Sequence, residues 1–379
     1  METLALTDEQ GRGALAIRDW FRAPGPDCYS LTGLAGTGKT TLIAELEGEV
    51  VPEGTPVLAL TGKATAALRR KGQEASTIHS AIYRAVVTDR GIRWAKRTDL
   101  GDRKKPLAIV DEASMINLEI LTDLRERFDR ILLVGDHGQL PPIKGAGVLE
   151  SVAGYRLSKV MRQALDSGIL RTALALRGGE PLRRALARGG ADVSARAPEQ
   201  GEIEGGSAWS IDEATMITAR NVDRVSLNRS ARRGALSQQE DPLVEGDRIL
   251  CLANSPEGWI NGMVADVLSV EPYDGLGGYE GYKVYARCDD GLEREATLIA
   301  EQLDSPKTRD DISFALWHDG IRNGRMHLFA RGWCLTAHKA QGSEWRSVVV
   351  YGDGFGSTDE RAAWRYTAAT RAAERLFWV

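Results

Sequence analysis

The eight residues Gly33-Leu34-Ala35-Gly36-Thr37-Gly38-Lys39-Thr40 constrain this chain more than any other feature. They fit the spacing G-x-x-x-x-G-K-[ST]. They also fall between a short apolar run, Cys28–Thr32, and a segment that reads as a helix starting near Lys39. Glycines at these spacings let backbone amides turn inward around phosphate oxygens, and the positive end of the following helix adds to the field. Gly33, Gly36, Thr37 and Gly38 supply the cradle. Lys39 reaches the outer phosphates of a nucleoside triphosphate, Thr40 is placed for Mg²⁺, and Thr41 stands beside it.

The flanking pattern predicts the fold class. Val57–Leu60, Leu107–Val110 and Ile131–Val134 are further short apolar runs bounded by turn signals, as expected of strands buried on both faces of a parallel sheet. The pattern restarts after residue 153, with a helical stretch at Gly168–Arg177 and strand-like runs at Thr215–Thr218, Trp333–Thr336, Val348–Tyr351 and Leu376–Val379. Leu107-Ala108-Ile109-Val110 ends in Asp111 and Glu112. A carboxylate at a strand tip beside a phosphate cradle suits Mg²⁺ binding by Asp111, and its neighbour Glu112 is placed to orient and deprotonate an attacking water.

Two stretches break the rhythm. Residues 84–105 hold eight Lys/Arg and three Asp, net +5 in a chain of net charge −4, and read as a hairpin with its turn near Asp89–Gly91. Residues 262–330 contain the strand-like pieces Met263–Val270, Gly281–Arg287 and Glu293–Ile299 between Gly/Asp turns, as in a small barrel. Residues 188–210 are Gly-rich with late acidic residues and are expected to form a mobile loop.

Composition excludes other classes. At 379 residues, 42% hydrophobic and 27% charged, the chain reads as an ordinary globular protein of two large domains. No apolar run is long enough to cross a bilayer, and the N-terminus does not read as a signal peptide. The four cysteines, Cys28, Cys251, Cys288 and Cys334, lack zinc or disulfide spacing, so a reducing cytoplasm is expected. The net charge argues against coating nucleic acid by bulk charge, though not against a local groove.

Further strings follow in a fixed order. They are Leu6-Thr7-Asp8-Glu9-Gln10, Leu60-Thr61-Gly62-Lys63-Ala64-Thr65-Ala66, Ser76-Thr77-Ile78-His79-Ser80 and Asp111-Glu112-Ala113-Ser114. Then come Gly135-Asp136-His137-Gly138-Gln139-Leu140-Pro141-Pro142, Met161-Arg162-Gln163, Leu335-Thr336-Ala337-His338-Lys339-Ala340-Gln341-Gly342-Ser343-Glu344 and Tyr366-Thr367-Ala368-Ala369-Thr370-Arg371-Ala372. With the phosphate loop, they resemble the motifs of superfamily 1 helicases, subgroup B, the RecD-like and Dda-like 5′→3′ DNA helicases. The resemblance runs along nearly the whole chain.

It implies two RecA-like P-loop cores, with a short β-hairpin inserted in the first and a small β-barrel in the second. The first core would take residues 1–83 and 106–152, the hairpin pin 84–105, the second core 153–261 and 331–379, and the barrel 262–330. It implies ATP and Mg²⁺ as cofactors. Gln10 would read the adenine edge and Glu344 would accept a ribose hydrogen bond. Gln139 would sense the γ-phosphate, and Arg162 and Arg371 would bring positive charge across the cleft as the transition state forms.

Single-stranded DNA and single-strand/duplex junctions would be the partners, with single-strand-binding or recombination proteins as further candidates. No membrane partner is expected, and a compact monomeric motor in a bacterial or phage-infected cell is. Thr61, Lys63, Thr65, Thr77 and His79 of the first core, with Thr336, His338 and Lys339 of the second, would line one nucleic-acid groove. For His79 and His338 a capping or core role is the competing reading. Asn261, in Asn261-Gly262, would turn the chain into the barrel. Trp94 would support a wedge at the hairpin, against a solvated hairpin as the alternative. Trp259 would stack on a base or belong to the core, and the sequence does not separate the two.

Three other activities stay open at this stage. One is an RNA helicase of the same superfamily. A second is a single-strand translocase that strips proteins without unwinding. The third is a nucleotide-switched subunit of a recombination or repair complex. No carboxylate cluster outside Asp111-Glu112 suggests a nuclease.

Overall fold

In a computed structural model, the apolar run Cys28–Gly33 forms β1, a strand almost wholly buried on both faces. The structure describes residues 6–46, 51–52, 54–70, 72–88, 91–97, 104–198, 214–236, 242–253, 255, 257–274, 280–306 and 326–379. After β1 come β2 (Val57–Ala59) and β3 (Ala75–Thr77), then β4 (Tyr83–Thr88) and β5 (Gly91–Lys96), then β6 (Lys105–Asp111), β7 (Phe128–Gly135) and β8 (Gly154–Leu157). All of these except β4 and β5 join one parallel sheet in the order β3-β2-β6-β7-β1-β8. Phosphate loop and paired carboxylates therefore leave the same edge of the sheet, at the ends of β1 and β6. The sheet runs past residue 152, because β8 lies alongside β1 with Gly154 opposite Ser30.

The amphipathic helix Asp8–Arg22 covers one face, burying Ala14, Ile17 and Trp20 against Leu31 and Leu132. Its start is fixed by a capping box, in which Thr7 accepts from Gln10 N and the Gln10 side chain answers the Thr7 amide. Such a cap contributes about 0.5–2 kcal/mol.

The second half repeats the plan. It contains β9 (Val193–Ser194), β10 (Ala214–Thr218), β11 (Arg248–Cys251), β12 (Val264–Tyr273), β13 (Gly281–Cys288), β14 (Glu293–Ile299), β15 (Phe329–Arg331), β16 (Cys334–Thr336), β17 (Trp345–Val350) and β18 (Ala372–Trp378). β16-β10-β17-β18-β9 form a second parallel sheet. The helices Gly168–Arg177 and Thr358–Ala369 share a hydrophobic cluster with Leu335, Val348 and Leu376 from its strands. Part of the stretch expected to be a mobile loop is ordered instead. Ala187–Asp192 forms a short 3-10 turn and Val193–Ser194 pairs with β18 at the sheet edge; residues 199–213 lie outside the described set.

β14-β13-β12-β11-β15 make an antiparallel sheet. It takes in Arg248–Cys251 and Phe329–Arg331, so its frame is wider than the 262–330 segment read from the sequence. β4 and β5 pair antiparallel, from Tyr83 opposite Lys96 to Thr88 opposite Gly91. Asp89, in the expected turn, lies outside the described residues, as do the side chains of Trp94, Lys63 and Arg162. The base of this pair is tied to the first core by Lys96, which bridges Asp123 at 2.7 Å and Glu126 at 2.6 Å.

Candidate functional site

The phosphate loop folds as its glycines require. Gly36 and Gly38 have φ of +75° and +82°, the left-handed region open to glycine. A side chain on Gly36 would also meet Ala164, Leu170 and Val160, so the loop lies pressed against the start of the second half. Lys39 Nζ donates to the carbonyls of Gly33 at 2.8 Å and Leu34 at 3.2 Å, and Thr37 Oγ1 donates to Leu34 O at 2.9 Å. Thr40 stands exposed at the first turn of Lys39–Leu46, with Thr41 half-buried next to it. Gln10 is buried. Its Oε1 closes the capping box, and its Nε2 reaches toward Thr37 O and Gly38 O, both at 3.4 Å. Gln10 thus touches the phosphate loop directly.

Asp111 closes β6 and accepts the Glu112 amide on Oδ1 at 2.9 Å. Glu112 sits at φ 52°, ψ 39°, the one non-glycine with positive φ among the described residues. A backbone held there costs about 1–3 kcal/mol and turns the side chain sharply off the strand. Burial pushes the Glu112 carboxyl above the ordinary carboxylate range. Arg371 opposes that most strongly, Asp111 and Asp136 add to it, and Lys39 opposes it. Charges from both halves of the chain thus converge on one carboxyl.

Arg371 lies at the end of the helix Thr358–Ala369 and is buried at 6% exposure. Its guanidinium donates to Thr367 O, Ser343 O and Thr370 Oγ1 at 3.2, 3.0 and 3.1 Å. These neutral acceptors fix its direction without cancelling its charge. Gln139 is buried. Gln341 Nε2 donates to Leu140 O at 3.0 Å and approaches Gln139 Oε1 at 3.5 Å, joining the two candidate sensing strings. Glu344 is exposed, one residue beyond the Ser343 carbonyl that holds Arg371. Arg162 opens a short helix, and the Met161 amide before it donates to Gly36 O at 2.9 Å.

The proposed track residues leave the strand tips as read. Thr61 and Thr77 cap the helices that follow them, accepting from Ala64 N and Ser80 N. Thr65 Oγ1 donates to Thr61 O at 3.0 Å and is buried, as is Thr336. His79 and His338 are half-buried, and burial lowers both imidazole pKa values below the ordinary one. Lys339 donates to Asn261 Oδ1, and burial lowers its pKa to about 8. The two sets meet directly. A Cβ on Gly342 would lie 2.9 Å from Ala64 Cβ, and one on Gly62 would lie 2.9 Å from Ile260 Cδ1.

Trp259 is a correction: it is core. Its exposure is 0%, its Nε1 donates to Glu295 O at 2.8 Å, and it packs edge-on against Phe329 at 4.8 Å. No face is left for a base.

Residues 23–192 match the AAA domain family, and residues 331–379 match the UvrD-like helicase C-terminal domain. The chain is 27% identical over 382 aligned positions to the ATP-dependent RecD2 DNA helicase of Deinococcus radiodurans, covering 92% of this chain and 46% of that protein. It is 33% identical over 135 positions to the ATP-dependent DNA helicase Pif1 of Bdellovibrio bacteriovorus, covering 31% of this chain and 30% of that one. The chain is thus similar to RecD2 and Pif1 helicases, along nearly its whole length to the first and over about a third of it to the second. It spans less than half the length of the curated relatives it matches. Its fold is also that of Pif1 helicase from Bacteroides, solved with ADP-AlF3 and ssDNA (TM-score 0.58, 19% identity, 99% of this chain and 92% of that one). Pif1 helicase from Candida albicans gives a TM-score of 0.54 at 18% identity, covering 99% and 94%.

The family strings contain residues to which sequence reading gave no role. Tyr366 is fully buried, accepts the Ala35 amide at 2.7 Å and donates to Asp136 Oδ2 at 2.6 Å. Thr367 Oγ1 accepts the Leu140 amide at 3.0 Å. A buried tyrosine in a helix signals core as readily as contact, and only the folded chain shows which backbone amide it meets.

Proposed function

We propose that this chain is an ATP-driven motor that moves 5′→3′ along single-stranded DNA and opens the duplex ahead of it. The observation that carries this reading is the contact of the second parallel unit with the phosphate loop of the first: Tyr366 accepts the Ala35 amide at 2.7 Å and donates to Asp136 at 2.6 Å, and Arg371, five residues on, bears with Lys39 on the charge of Glu112. A site whose cationic and basic groups come from two bodies hydrolyses well only when the bodies close, and closure is then motion. The relatives named as ATP-dependent DNA helicases support the substrate class, and the Bacteroides Pif1 structure with ssDNA supports a single-strand groove.

In this mechanism the backbone amides of residues 33–38 and the Lys39 ammonium hold the phosphates. Glu112 takes the proton of the attacking water. Arg371, with Arg162 beside the loop, stabilises charge on the transferred phosphoryl. Gln139 conveys phosphate occupancy to the groove, Gln10 meets the adenine and Glu344 the ribose. Thr40 offers an exposed hydroxyl and Asp111 a carboxylate, the hard oxygen donors that Mg²⁺ takes when phosphates complete its shell. Mg²⁺ supplies charge neutralisation at the phosphates when bound. Among the described residues no group of three or more His, Cys, Asp or Glu forms a separate metal cage.

The finer architecture follows from the same reading. Residues 1–83 and 106–152, extended to 157 by β8, form the first motor core, and 158–261 with 331–379 the second. The β4–β5 pair is the pin at the fork, and the antiparallel sheet is a small barrel seated on the second core. Thr61, Thr77 and His79 line one groove with Asn261, His338 and Lys339, and the nucleic-acid roles of Lys63, Thr65, Thr336 and Trp94 rest on the sequence resemblance alone.

Steady-state ATPase with no nucleic acid, with oligo-dT and with oligo-U tests the reading, with Glu112→Gln as control. Strong oligo-dT stimulation that the mutation abolishes is expected. Equal stimulation by both polymers would make it an RNA-competent motor, and ATP binding without turnover would make it a switch.

A further inference from the structure

The inter-core contact at Tyr366 does more than pack. The Ala35 amide is the third residue of the phosphate loop, and its N–H already has an acceptor, the Tyr366 hydroxyl at 2.7 Å. That hydroxyl passes its own proton to Asp136 Oδ2 at 2.6 Å, while Asp136 Oδ1 accepts the Gly138 amide at 2.8 Å. Both side chains are buried, Asp136 at 2% exposure. Gly138 leaves the space this needs, since a Cβ there would lie 3.0 Å from Tyr366 Cε1 and 2.6 Å from Leu34 Cδ2. One hydroxyl therefore joins three elements: the phosphate loop, the loop after β7, and the helix that ends at Arg371.

We propose that Tyr366 is a positioning residue whose hydroxyl competes with nucleotide phosphate for a phosphate-loop amide. The inference rests on the motor reading above. A phosphate oxygen is charged and is the stronger acceptor for a backbone amide, so it displaces a neutral hydroxyl. Losing the amide removes one of the two bonds that hold Tyr366. Among the described residues, the hydrogen bonds that still tie the helix Thr358–Ala369 to the first core are then those of Tyr366 with Asp136 and of Thr367 with Leu140. Five residues after Tyr366 stands Arg371, fixed to the same helix through Thr367 O. Phosphate occupancy is thereby read out as freedom of the helix that aims the arginine, and Tyr366 acts on catalysis through Arg371 without touching the phosphoryl.

The test is Tyr366→Phe in the full chain, which keeps the ring and removes the hydroxyl. With Glu112→Gln present to stop turnover, a fluorescent ATP analogue should bind two- to tenfold more tightly, the ratio a single neutral hydrogen bond supports. In the Glu112 background the KM for ATP should fall while the oligo-dT stimulation of kcat also falls. Thr367→Val removes a bond on the same face without reaching the phosphate loop, and should leave nucleotide affinity unchanged. Unchanged affinity in Tyr366→Phe, or equal tightening in both variants, would overturn the proposal. Should Tyr366→Phe not fold, 3-fluorotyrosine placed at 366 keeps the hydroxyl. Its fluorine resonance should move when ATP is added to the Glu112→Gln chain and stay fixed with AMP, and a signal that ignores ATP would also overturn it. A wild-type chain without ATP turnover would count against the motor reading instead, because affinity and resonance are both read without hydrolysis.

Discussion

At Glu112 the backbone and the charges are arranged for one purpose. The left-handed φ turns the carboxyl off the end of β6, and burial with two neighbouring carboxylates raises its pKa, with Arg371 as the strongest opposing influence. A base works only when deprotonated, so turnover falls as pH drops through the Glu112 pKa. Arg371→Ala removes the cation that lowers that pKa. The acidic limb of the ATPase profile should move to higher pH, and kcat should fall by on the order of 10³, the scale of an arginine supplied across a nucleotide cleft. Arg371→Lys should move the limb less. A limb that stays in place while kcat falls would separate the arginine from the base. The places of the candidate site residues were legible because they sit in strings whose spacing the chemistry dictates, as with Lys39 after Gly38 and Glu112 after Asp111. Trp259 was not, because its burial depends on the Glu295 carbonyl and on Phe329, neither near it in sequence. Gln10 was half legible: its place beside the phosphate loop follows the string, while its capping bond depends on how Thr7 starts the helix.

Among the elements, the joint between the second parallel sheet and the antiparallel sheet is held by charge. Asp247 is wholly buried just before β11. Its carboxylate accepts from Arg232 Nε at 2.8 Å, from Arg331 Nη1 at 3.4 Å and from the Val244 amide at 2.9 Å. Arg331 in turn donates to Asp304, and Arg248 stacks over Trp333 while donating to Asp266. Asp247→Ala leaves two buried guanidiniums short of their shared carboxylate, which costs about 3–5 kcal/mol. Urea unfolding should show that loss, whereas Glu374→Ala, which removes an ion pair with Arg346 that is exposed on both sides, should stay near the roughly 0–1 kcal/mol of a surface pair. The element pattern itself was readable wherever a strand is a buried apolar run: β1, β6, β7, β10 and β17 fall where the sequence puts them. The runs that were missed have a common physical cause. β3, β8 and β9 span two to four residues and are strands only because a neighbour supplies the ladder, as Ser30 does for Gly154. No local period marks such segments.

Across the whole molecule, the net charge of −4 and the net +5 of residues 84–105 state a division of labour. On the motor reading proposed above, a chain of net negative charge takes its affinity for a strand from a local groove, where the Ala64–Gly342 and Gly62–Ile260 contacts bring the halves together. The basic β4–β5 pair leaves the end of the short helix that carries His79, whose ring meets Tyr83 at 5.4 Å, and is anchored at its base by Lys96 on the helix Leu118–Arg125. Motor and fork opening should therefore separate. Replacing residues 84–96 by a short glycine linker should leave oligo-dT-stimulated ATPase within about twofold, because no cleft residue is touched. Unwinding should fall by about tenfold, the factor that corresponds to losing assistance worth one average stacking step of roughly 1.4 kcal/mol. The same duplex should be opened from a 5′ single-stranded tail and not from a 3′ tail, in both proteins. Unwinding that survives the excision unchanged would move fork opening from the pin to the closing cores. Unwinding from the 3′ tail alone would reverse the direction in which the two cores take their steps.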